Sequence, residues 1–328
     1  MKNKKNKFNY YRLILQWAVL ALLVYMVARL WTDSDYAPDF EAYCPLGGML
    51  AFSSFLTSNS LACSMTGMQI VMGFALILGI VIFSKLFCGY ICPVGTLTEW
   101  LGDIGRKLKM QYSPDGIADK ILRIFKYILL FITFYFTIES SELFCKKFDP
   151  YYAAFTGFSG DVDFTFAIIS LVVTIIGSIF IRQAWCKYFC PLAAASNIFT
   201  YFPVFLIIFG VYAILLISNI NVSWIFPLTA TAVSVFLLEA LRLKDGIVIP
   251  LFRITRNDAI CNTNCKLCDK ACPQGIVVST CPGKVDHIDC NLCCDCIVVC
   301  PRKNALNINR KSMLWFPASV TVLLIISG

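Results

Sequence analysis

The chain has 328 residues, of which 58% are hydrophobic and 15% are charged, with a mean hydropathy of +0.72 and a formal net charge of +8. This composition excludes an ordinary soluble domain, a disordered chain and a collagen-like repeat, because apolar residues dominate and Gly and Pro are few. The single histidine, His287, lies outside every long apolar run, so the chain cannot itself supply bis-histidine haem ligation in a membrane.

Long apolar runs predict a polytopic α-helical membrane protein with about seven transmembrane helices, since a helix needs ~20 apolar residues to cross the hydrocarbon core. The expected spans are residues 13–30, 69–87, 121–138, 164–181, 203–217, 222–241 and 313–328. They divide the chain into three parts. These are a transmembrane domain over residues 1–245, a cytoplasmic domain over residues 246–311 and a C-terminal transmembrane segment over residues 312–328.

Loop charges predict the orientation of the chain. Lys and Arg concentrate in the N-terminal tail and in residues 85–126, 182–187 and 242–311, whereas Asp and Glu dominate the intervening loops. Basic loops favour the cytoplasmic side of a membrane. We therefore expect a multi-pass membrane protein whose N-terminus and domain 246–311 are cytoplasmic. The positive net charge follows from this bias, and no nucleic-acid partner is expected.

Three cysteines, Cys44, Cys63 and Cys145, fall on the predicted outer side of the membrane. Two of them can form a disulfide in an oxidising compartment, which leaves one thiol over. Alternatively, the three cysteines help to hold an outer metal centre or cluster. Such a centre would serve an electron path through the membrane, because a core of ~30 Å is too thick for one electron hop.

An eight-residue pattern occurs twice, each time just after a predicted span that runs inward. Residues 87–94 (FCGYICPV) and 185–192 (WCKYFCPL) share the order aromatic, Cys, x, Tyr, apolar, Cys, Pro, apolar. Cysteines four residues apart lie on one face of a helical turn, and the proline can start the next helix. Two such turns facing each other at the cytoplasmic edge would offer four thiolates, enough for one [4Fe-4S] cluster. These are Cys88, Cys92, Cys186 and Cys190. The alternative is that they are packing thiols at two helix ends.

The densest cysteine pattern consists of two runs between residues 261 and 301. The second run, C-x2-C-x2-C-x3-C-P, matches the bacterial ferredoxin spacing in full, whereas the first has one extra residue after Cys261. In ferredoxins, three cysteines of one run share a cluster with the last cysteine of the other run. The expected ligands are Cys261, Cys265, Cys268 and Cys300 for one [4Fe-4S] cluster, and Cys290, Cys293, Cys296 and Cys272 for the other.

The two runs predict an α+β ferredoxin domain of the bacterial two-cluster type. Zinc is the alternative cofactor, because C-x2-C pairs also occur in zinc sites. A disulfide framework is disfavoured by the reducing cytoplasm in which we place this domain. Cys281 and Cys294 fall outside both runs, and Cys294 is a candidate substitute ligand.

These motifs resemble those of the membrane-bound 4Fe-4S polyferredoxin family, which includes NapH-type quinol dehydrogenase subunits, NosR-type regulators and CcoG-type oxidase assembly proteins. The likeness rests on the paired C-x3-C-P motifs and on residues 261–301, and it covers roughly residues 65–310. It implies a protein of the prokaryotic cytoplasmic membrane, linked to quinone or to an extracytoplasmic redox partner such as a reductase, flavoprotein or cytochrome. The covalent-flavin motif of NosR-type proteins is absent, so covalent FMN is not expected.

The predicted function is one-electron transfer between the ferredoxin clusters, a membrane-edge cluster and quinone or an outer redox partner. No catalytic residue is assigned, because no Ser/His/Asp set, P-loop or dinucleotide motif occurs. The alternative is an assembly or regulatory protein that reduces a metal or senses redox state. Membrane lipid is the other expected partner. A transporter is disfavoured, since Arg123, Lys126 and Glu239 fall toward the membrane edges, where side chains can snorkel to water.

Overall fold

The structure is a computed structural model. It describes residues 7–32, 46–50, 67–114, 116–140, 144–158, 162–218, 222–241, 252–261, 265–285 and 287–308. Over these residues the chain is mainly helical and has one two-stranded sheet. The predicted span at residues 313–328 and two of the outer cysteines, Cys44 and Cys63, lie outside the described residues.

The helices follow one another closely along the chain. They are α1 (Lys7–Thr32), α2 (Gly67–Phe83), α3 (Leu86–Tyr90), α4 (Pro93–Lys107), α5 (Ile117–Ser140), α6 (Pro150–Phe155), α7 (Phe164–Phe180), α8 (Pro191–Thr200), α9 (Phe202–Ile217), α10 (Ile225–Leu241), α11 (Leu267–Ala271) and α12 (Asp295–Val298). Short 3-10 turns occur at Phe144–Lys147 and Val278–Thr280, and a π-helical turn occurs at Trp185–Phe189. Residues 46–50 are also helical.

Among the described residues, two helices are long and apolar enough to cross a membrane, at Tyr10–Arg29 in α1 and at Ile117–Glu139 in α5. A third span results if α8 and α9, which meet at a bend of 85°, are counted as one. Three other predicted spans correspond to α2, α7 and α10, which have 17 residues each. That length is at the short end of what crosses a core of ~30 Å. The apolar helices agree with a membrane protein, but a count of seven spans is not confirmed.

Helix α4 packs closely against α7 through small residues. A Cβ atom on Gly105 would lie 2.0 Å from the Ile179 carbonyl oxygen, and one on Gly102 would lie 3.7 Å from that of Ser178. Glycine therefore allows the two backbones to approach each other. The contact places the C-terminal half of α4 alongside the end of α7.

Residues 252–308 form a small domain of strands and short helices. Strand β1 (Ile254–Arg256) pairs antiparallel with β2 (Leu306–Ile308), and Ile254 lies opposite Ile308. Helices α11 and α12 lie between the strands in the sequence, as do both cysteine runs. This arrangement agrees with the α+β ferredoxin domain expected from the cysteine spacing.

The ferredoxin domain packs directly on the membrane helices. Tyr90 Oη donates to the Leu292 carbonyl oxygen at 3.1 Å, and Arg182 Nη1 donates to that of Cys272 at 3.1 Å. A buried core shared by both parts includes Leu86 of α3 and Leu292 of the second cysteine run. The domain that would carry both predicted ferredoxin clusters is thus held against the membrane helices.

Candidate metal centres

The two C-x3-C-P motifs have the same backbone conformation. Cys92 has φ −64° and ψ 118°, and Cys190 has φ −66° and ψ 117°. Each cysteine is extended because a proline follows it, and each proline starts a helix. The Cys92 amide donates to Phe87 O at 3.0 Å, and the Cys190 amide donates to Trp185 O at 2.9 Å. The duplication predicted from the sequence therefore extends to the hydrogen bonds that close each turn.

The four thiols of the paired motifs lie close together. Burial raises the pKa of each of them, that of Cys186 to about 12. Negative charge on Cys88 and Cys186 would raise the pKa of Cys92 further, and that of Cys190 rises for the same reason. Without a cation, these four groups would stay protonated. An iron–sulfur core or another metal would be needed to hold them as thiolates.

The second run of the ferredoxin domain also gathers its predicted cysteines. The pKa values of Cys293 and Cys296 rise through burial and through nearby thiols, Cys272 among them. Cys290 in turn raises the pKa of Cys272. The last cysteine of the first run therefore lies with the three cysteines of the second run, as the crossed ligand rule requires.

The backbone between these cysteines is strained. Leu292 has φ +54° and Cys294 has φ +64°, and neither is glycine. Left-handed conformations of this kind cost of order 1–3 kcal/mol each and are common at functional loops. Cys294 Sγ donates to the Leu292 carbonyl oxygen at 3.1 Å, so this thiol has a packing role in the loop.

Among the remaining ferredoxin cysteines, a hydrogen bond links the segments that carry Cys261 and Cys300. Arg302 Nη1 donates to the Ile260 carbonyl oxygen at 2.6 Å, which joins the segment before Cys261 to the segment after Cys300. Burial and the Asp269 carboxylate raise the pKa of Cys268 to about 11. Cys265, the remaining member of this set, is half-buried.

The donor set distinguishes between a cluster and a single ion. In the described ranges, no group of three or more His, Cys, Asp or Glu side chains converges on one metal ion. A [4Fe-4S] core carries its four cysteines on the corners of a larger body than one zinc ion. Two runs of four cysteines, each closed by Cys-Pro, fit clusters better than zinc.

The predicted outer segment lies close to the paired motifs. Cys145 is buried, and its carbonyl oxygen accepts from the Asp149 amide at 2.9 Å. Asp149 is near enough to Cys92 for its charge to raise the pKa of that thiol, and burial raises the pKa of Asp149 itself to about 6. Cys92 and this segment are therefore not separated by the full thickness of a membrane.

Gly89 is the point at which the paired motifs touch the ferredoxin domain. A Cβ atom on Gly89 would lie 2.8 Å from Asn291 Nδ2 and 3.2 Å from the Asn291 carbonyl oxygen. Arg12 Nε and Gln16 Nε2 both donate to the Gly89 carbonyl oxygen at 3.1 Å. Because Gly89 follows Cys88 and Asn291 follows Cys290, the contact joins residues that adjoin two different predicted centres.

One prediction about charged residues is wrong. Lys126 has 0% exposure and Arg123 has 6%, so these side chains do not extend to water. Lys126 Nζ donates to Glu239 Oε1 at 2.9 Å, and Arg123 contacts the same carboxylate. Arg123 and Lys85 each donate to Asp289 at 2.7 Å. The charges form a buried network that ties α5 and α10 to the residue before Cys290.

Asp289 is ionised within this network. Burial opposes its ionisation, but the neighbouring cations, Arg123 first, lower the pKa of Asp289 well below its usual value. The sequence contained a signal for the network, because three ionisable residues stand in otherwise apolar runs. The sequence does not show which of these residues pair with each other, since Lys126 and Glu239 are separated by 113 residues.

The fold and the cysteine sites define a class of protein, a membrane-associated iron–sulfur protein. A family model described as a 4Fe-4S binding domain matches residues 65–111 and 164–209, and each segment contains one C-x3-C-P motif. The putative electron transport protein YccM of Escherichia coli is 27% identical over 314 residues, which cover 89% of this chain and 72% of YccM.

Two further relatives share less of their length with this chain. The regulatory protein NosR of Pseudomonas aeruginosa is 34% identical over 117 residues, which cover 34% of this chain and 16% of NosR. The ferredoxin-type protein NapH of Haemophilus influenzae is 24% identical over 198 residues, which cover 59% of this chain and 66% of NapH. No solved structure matches the chain. The chain is thus similar to membrane-associated 4Fe-4S electron-transport proteins, NapH and NosR among them.

Proposed function

We propose that the chain carries single electrons between the ferredoxin domain and the paired cysteines of the membrane helices. The contact between Gly89 and Asn291 is the observation that carries this proposal. It joins the backbone beside Cys88 to the backbone beside Cys290. Quinone or a redox protein outside the cytoplasm is the proposed further partner, in the prokaryotic cytoplasmic membrane.

The proposed ligands are the twelve cysteines expected from the sequence, arranged in three sets of four. Cys88, Cys92, Cys186 and Cys190 form the membrane set; Cys272, Cys290, Cys293 and Cys296 form the set next to it; and Cys261, Cys265, Cys268 and Cys300 form the distal set. Bound [4Fe-4S] clusters supply one-electron transfer at potentials tuned by burial and hydrogen bonding. The ferredoxin domain is assigned to residues 246–311 and the membrane domain to residues 1–245.

The chain's own residues fix the junction between the first two sets. Arg12 and Gln16 hold the Gly89 carbonyl oxygen, while Tyr90 Oη holds that of Leu292. Leu292 is 1% exposed and Tyr90 is 3% exposed, so the junction is closed to water. A dry, fixed junction keeps the distance between two electron carriers constant.

Asn291 provides a polar group at the same junction. Its Nδ2 atom is buried and has no hydrogen-bond partner among the described residues. A buried amide donor beside Cys290 can donate to a cluster sulfur, which raises the potential of the cluster. Asn291 is therefore proposed as a residue that tunes the set formed with Cys272.

The segment Phe144–Phe155 is the proposed exit toward the outer side. Asp149 lies beside Cys92, and Cys145 is one 3-10 turn away from Asp149. Electrons that reach the membrane set can leave at this segment or reduce quinone within the membrane. A metal centre or a disulfide formed by Cys44, Cys63 and Cys145 would lie on this side.

The test is iron and acid-labile sulfide analysis, with EPR spectroscopy, on the full chain purified anaerobically. Three clusters correspond to about twelve iron atoms per chain. We expect this value, or about sixteen if the outer cysteines also bind a cluster. About eight iron atoms would mean that the membrane set is empty, and zinc in place of iron would overturn the proposal.

A second candidate function is a redox-sensing regulatory role. It is favoured by the 34% identity to a protein named as a regulator, NosR. The two functions differ in the rate of electron transfer that they require, because a sensor needs to be reduced only occasionally. Steady turnover of quinol by membranes containing the chain favours the carrier, and reduction without turnover favours the sensor.

A further inference from the structure

A cavity of about 270 Å³ lies where the ferredoxin domain meets the membrane helices. Its walls come from the start of α5, the end of α10, residues 181–187 and ferredoxin residues 274–288. None of the twelve proposed ligand cysteines lines it. The cavity is therefore separate from the electron path described above.

The charge of the cavity is strongly positive. Five cationic side chains line it, against the two carboxylates of Asp119 and Glu239. Both carboxylates are already paired, Asp119 with Arg123 and Lys187 and Glu239 with Arg123 and Lys126. The other lining cations are Lys120, Arg182 and Lys284, for which the described ranges contain no ion pair. Within the described residues, three positive charges of the lining are thus without a counter-charge.

His287 also lines the cavity. Its Nδ1 atom accepts from the Asp289 amide at 3.2 Å, which leaves Nε2 as the hydrogen-bond donor.

Arg182 is held in place with part of its guanidinium unused. Its Nε atom donates to Gln111 Oε1 at 3.2 Å, and Nη1 donates to the Cys272 carbonyl oxygen at 3.1 Å. Gly275, with φ +72°, lets the chain pass close by, since a Cβ there would lie 3.2 Å from Arg182 Cδ. In the described part of the chain, Nη2 has no acceptor. A fixed guanidinium with free N–H groups is well suited to bind a phosphate oxygen.

The opposite wall of the cavity is apolar and continues into the membrane helices. Ile181 follows α7, while Phe236 and Ala240 belong to α10. Basic pockets beside apolar helices on the cytoplasmic side favour anionic lipid headgroups. We propose that this cavity binds a phosphate-bearing anion, supplied by an anionic phospholipid headgroup or by free phosphate.

The test uses native mass spectrometry of the full chain in detergent with phosphatidylglycerol or phosphatidylcholine. The variant K120A/K284A removes two lining cations, and the control K107A/K303A removes two exposed lysines outside the cavity. We expect phosphatidylglycerol to bind in preference to phosphatidylcholine. Its affinity should fall by roughly tenfold or more in K120A/K284A and stay unchanged in the control.

A second arm identifies the source of the phosphate. Thermal unfolding is measured with added inorganic phosphate and no added lipid. Suppose that phosphatidylglycerol binds no better than phosphatidylcholine. If phosphate then stabilises the parent chain and the control but not K120A/K284A, the site is assigned to free phosphate. Equal binding of both probes by K120A/K284A and K107A/K303A would overturn the proposal.

Discussion

Gly89 and Asn291 are in direct contact across the boundary between the membrane helices and the ferredoxin domain. The second copy of the motif has Lys187 where the first has Gly89, and Lys187 Nζ instead pairs with Asp119 at 2.8 Å. The duplicated turns have thus diverged in the contacts that this position makes. One copy makes a close backbone contact with the ferredoxin domain, and the other joins the buried charge network.

Replacing Gly89 by Ala should disturb this junction. The new Cβ would lie 2.8 Å from Asn291 Nδ2, so the ferredoxin loop must shift. We expect a stability loss of about 1–3 kcal/mol from overpacking, slower transfer between the two centres, and unchanged iron content. Freeze-quench EPR and thermal unfolding measure these effects. Gly210→Ala is the matched control, because a Cβ there meets nothing within 4 Å. Equal behaviour of the two variants would contradict the role of Gly89.

Replacing Cys92 and Cys190 together by Ser should remove only the membrane centre. Each residue contributes one thiol to the group formed by the paired motifs. We expect iron to fall by about four atoms per chain, with the ferredoxin signals retained. Cys281→Ser is the control, since Cys281 belongs to neither cysteine run. Unchanged iron and spectra in the double variant would show that these cysteines only pack.

Replacing Glu239 by Gln should strongly destabilise the chain. The carboxylate accepts from Lys126 at 2.9 Å and from Tyr127 at 2.6 Å, and it also pairs with Arg123. Losing one partner of a buried ion pair typically costs about 3–5 kcal/mol, because the other charge stays buried. Thermal unfolding in detergent measures the loss. Adding Lys126→Met should recover part of it, and a loss below about 1 kcal/mol would contradict a buried network.

Replacing Arg12 by Ala should also lower stability, and by more than the replacement of a partly exposed arginine does. Arg12 is 3% exposed and pairs with Glu99 of α4 and Asp295 of α12. Its loss leaves Glu99 buried without a counter-charge, which costs about 3 kcal/mol or more. Arg106→Ala is the matched control, because its pair with Asp103 is partly exposed and contributes about 0–1 kcal/mol. Equal losses in the two variants would mean that Arg12 does not tie these elements together.

Cysteine spacing predicted much of the candidate site, because ligand spacing is a local property of the chain. The crossed position of Cys272 beside Cys293 and the equivalent turns at Cys92 and Cys190 were both expected. Contacts between distant residues could not be predicted, since nothing near Gly89 in the sequence indicates that Asn291 packs on it. The count of seven spans is not confirmed, because α2, α7 and α10 have 17 residues each, the short end of what crosses a membrane, and the span at residues 313–328 lies outside the described residues.

The most direct measurement of the central claim is EPR spectroscopy of the full chain after reduction with dithionite. The two ferredoxin clusters also couple to each other, so the reference is the variant in which Cys92 and Cys190 are replaced by Ser. If a third centre adjoins the ferredoxin domain at Gly89 and Asn291, the parent spectrum contains a further magnetic interaction that this variant lacks. A parent spectrum that the double replacement leaves unchanged would contradict the proposed electron path.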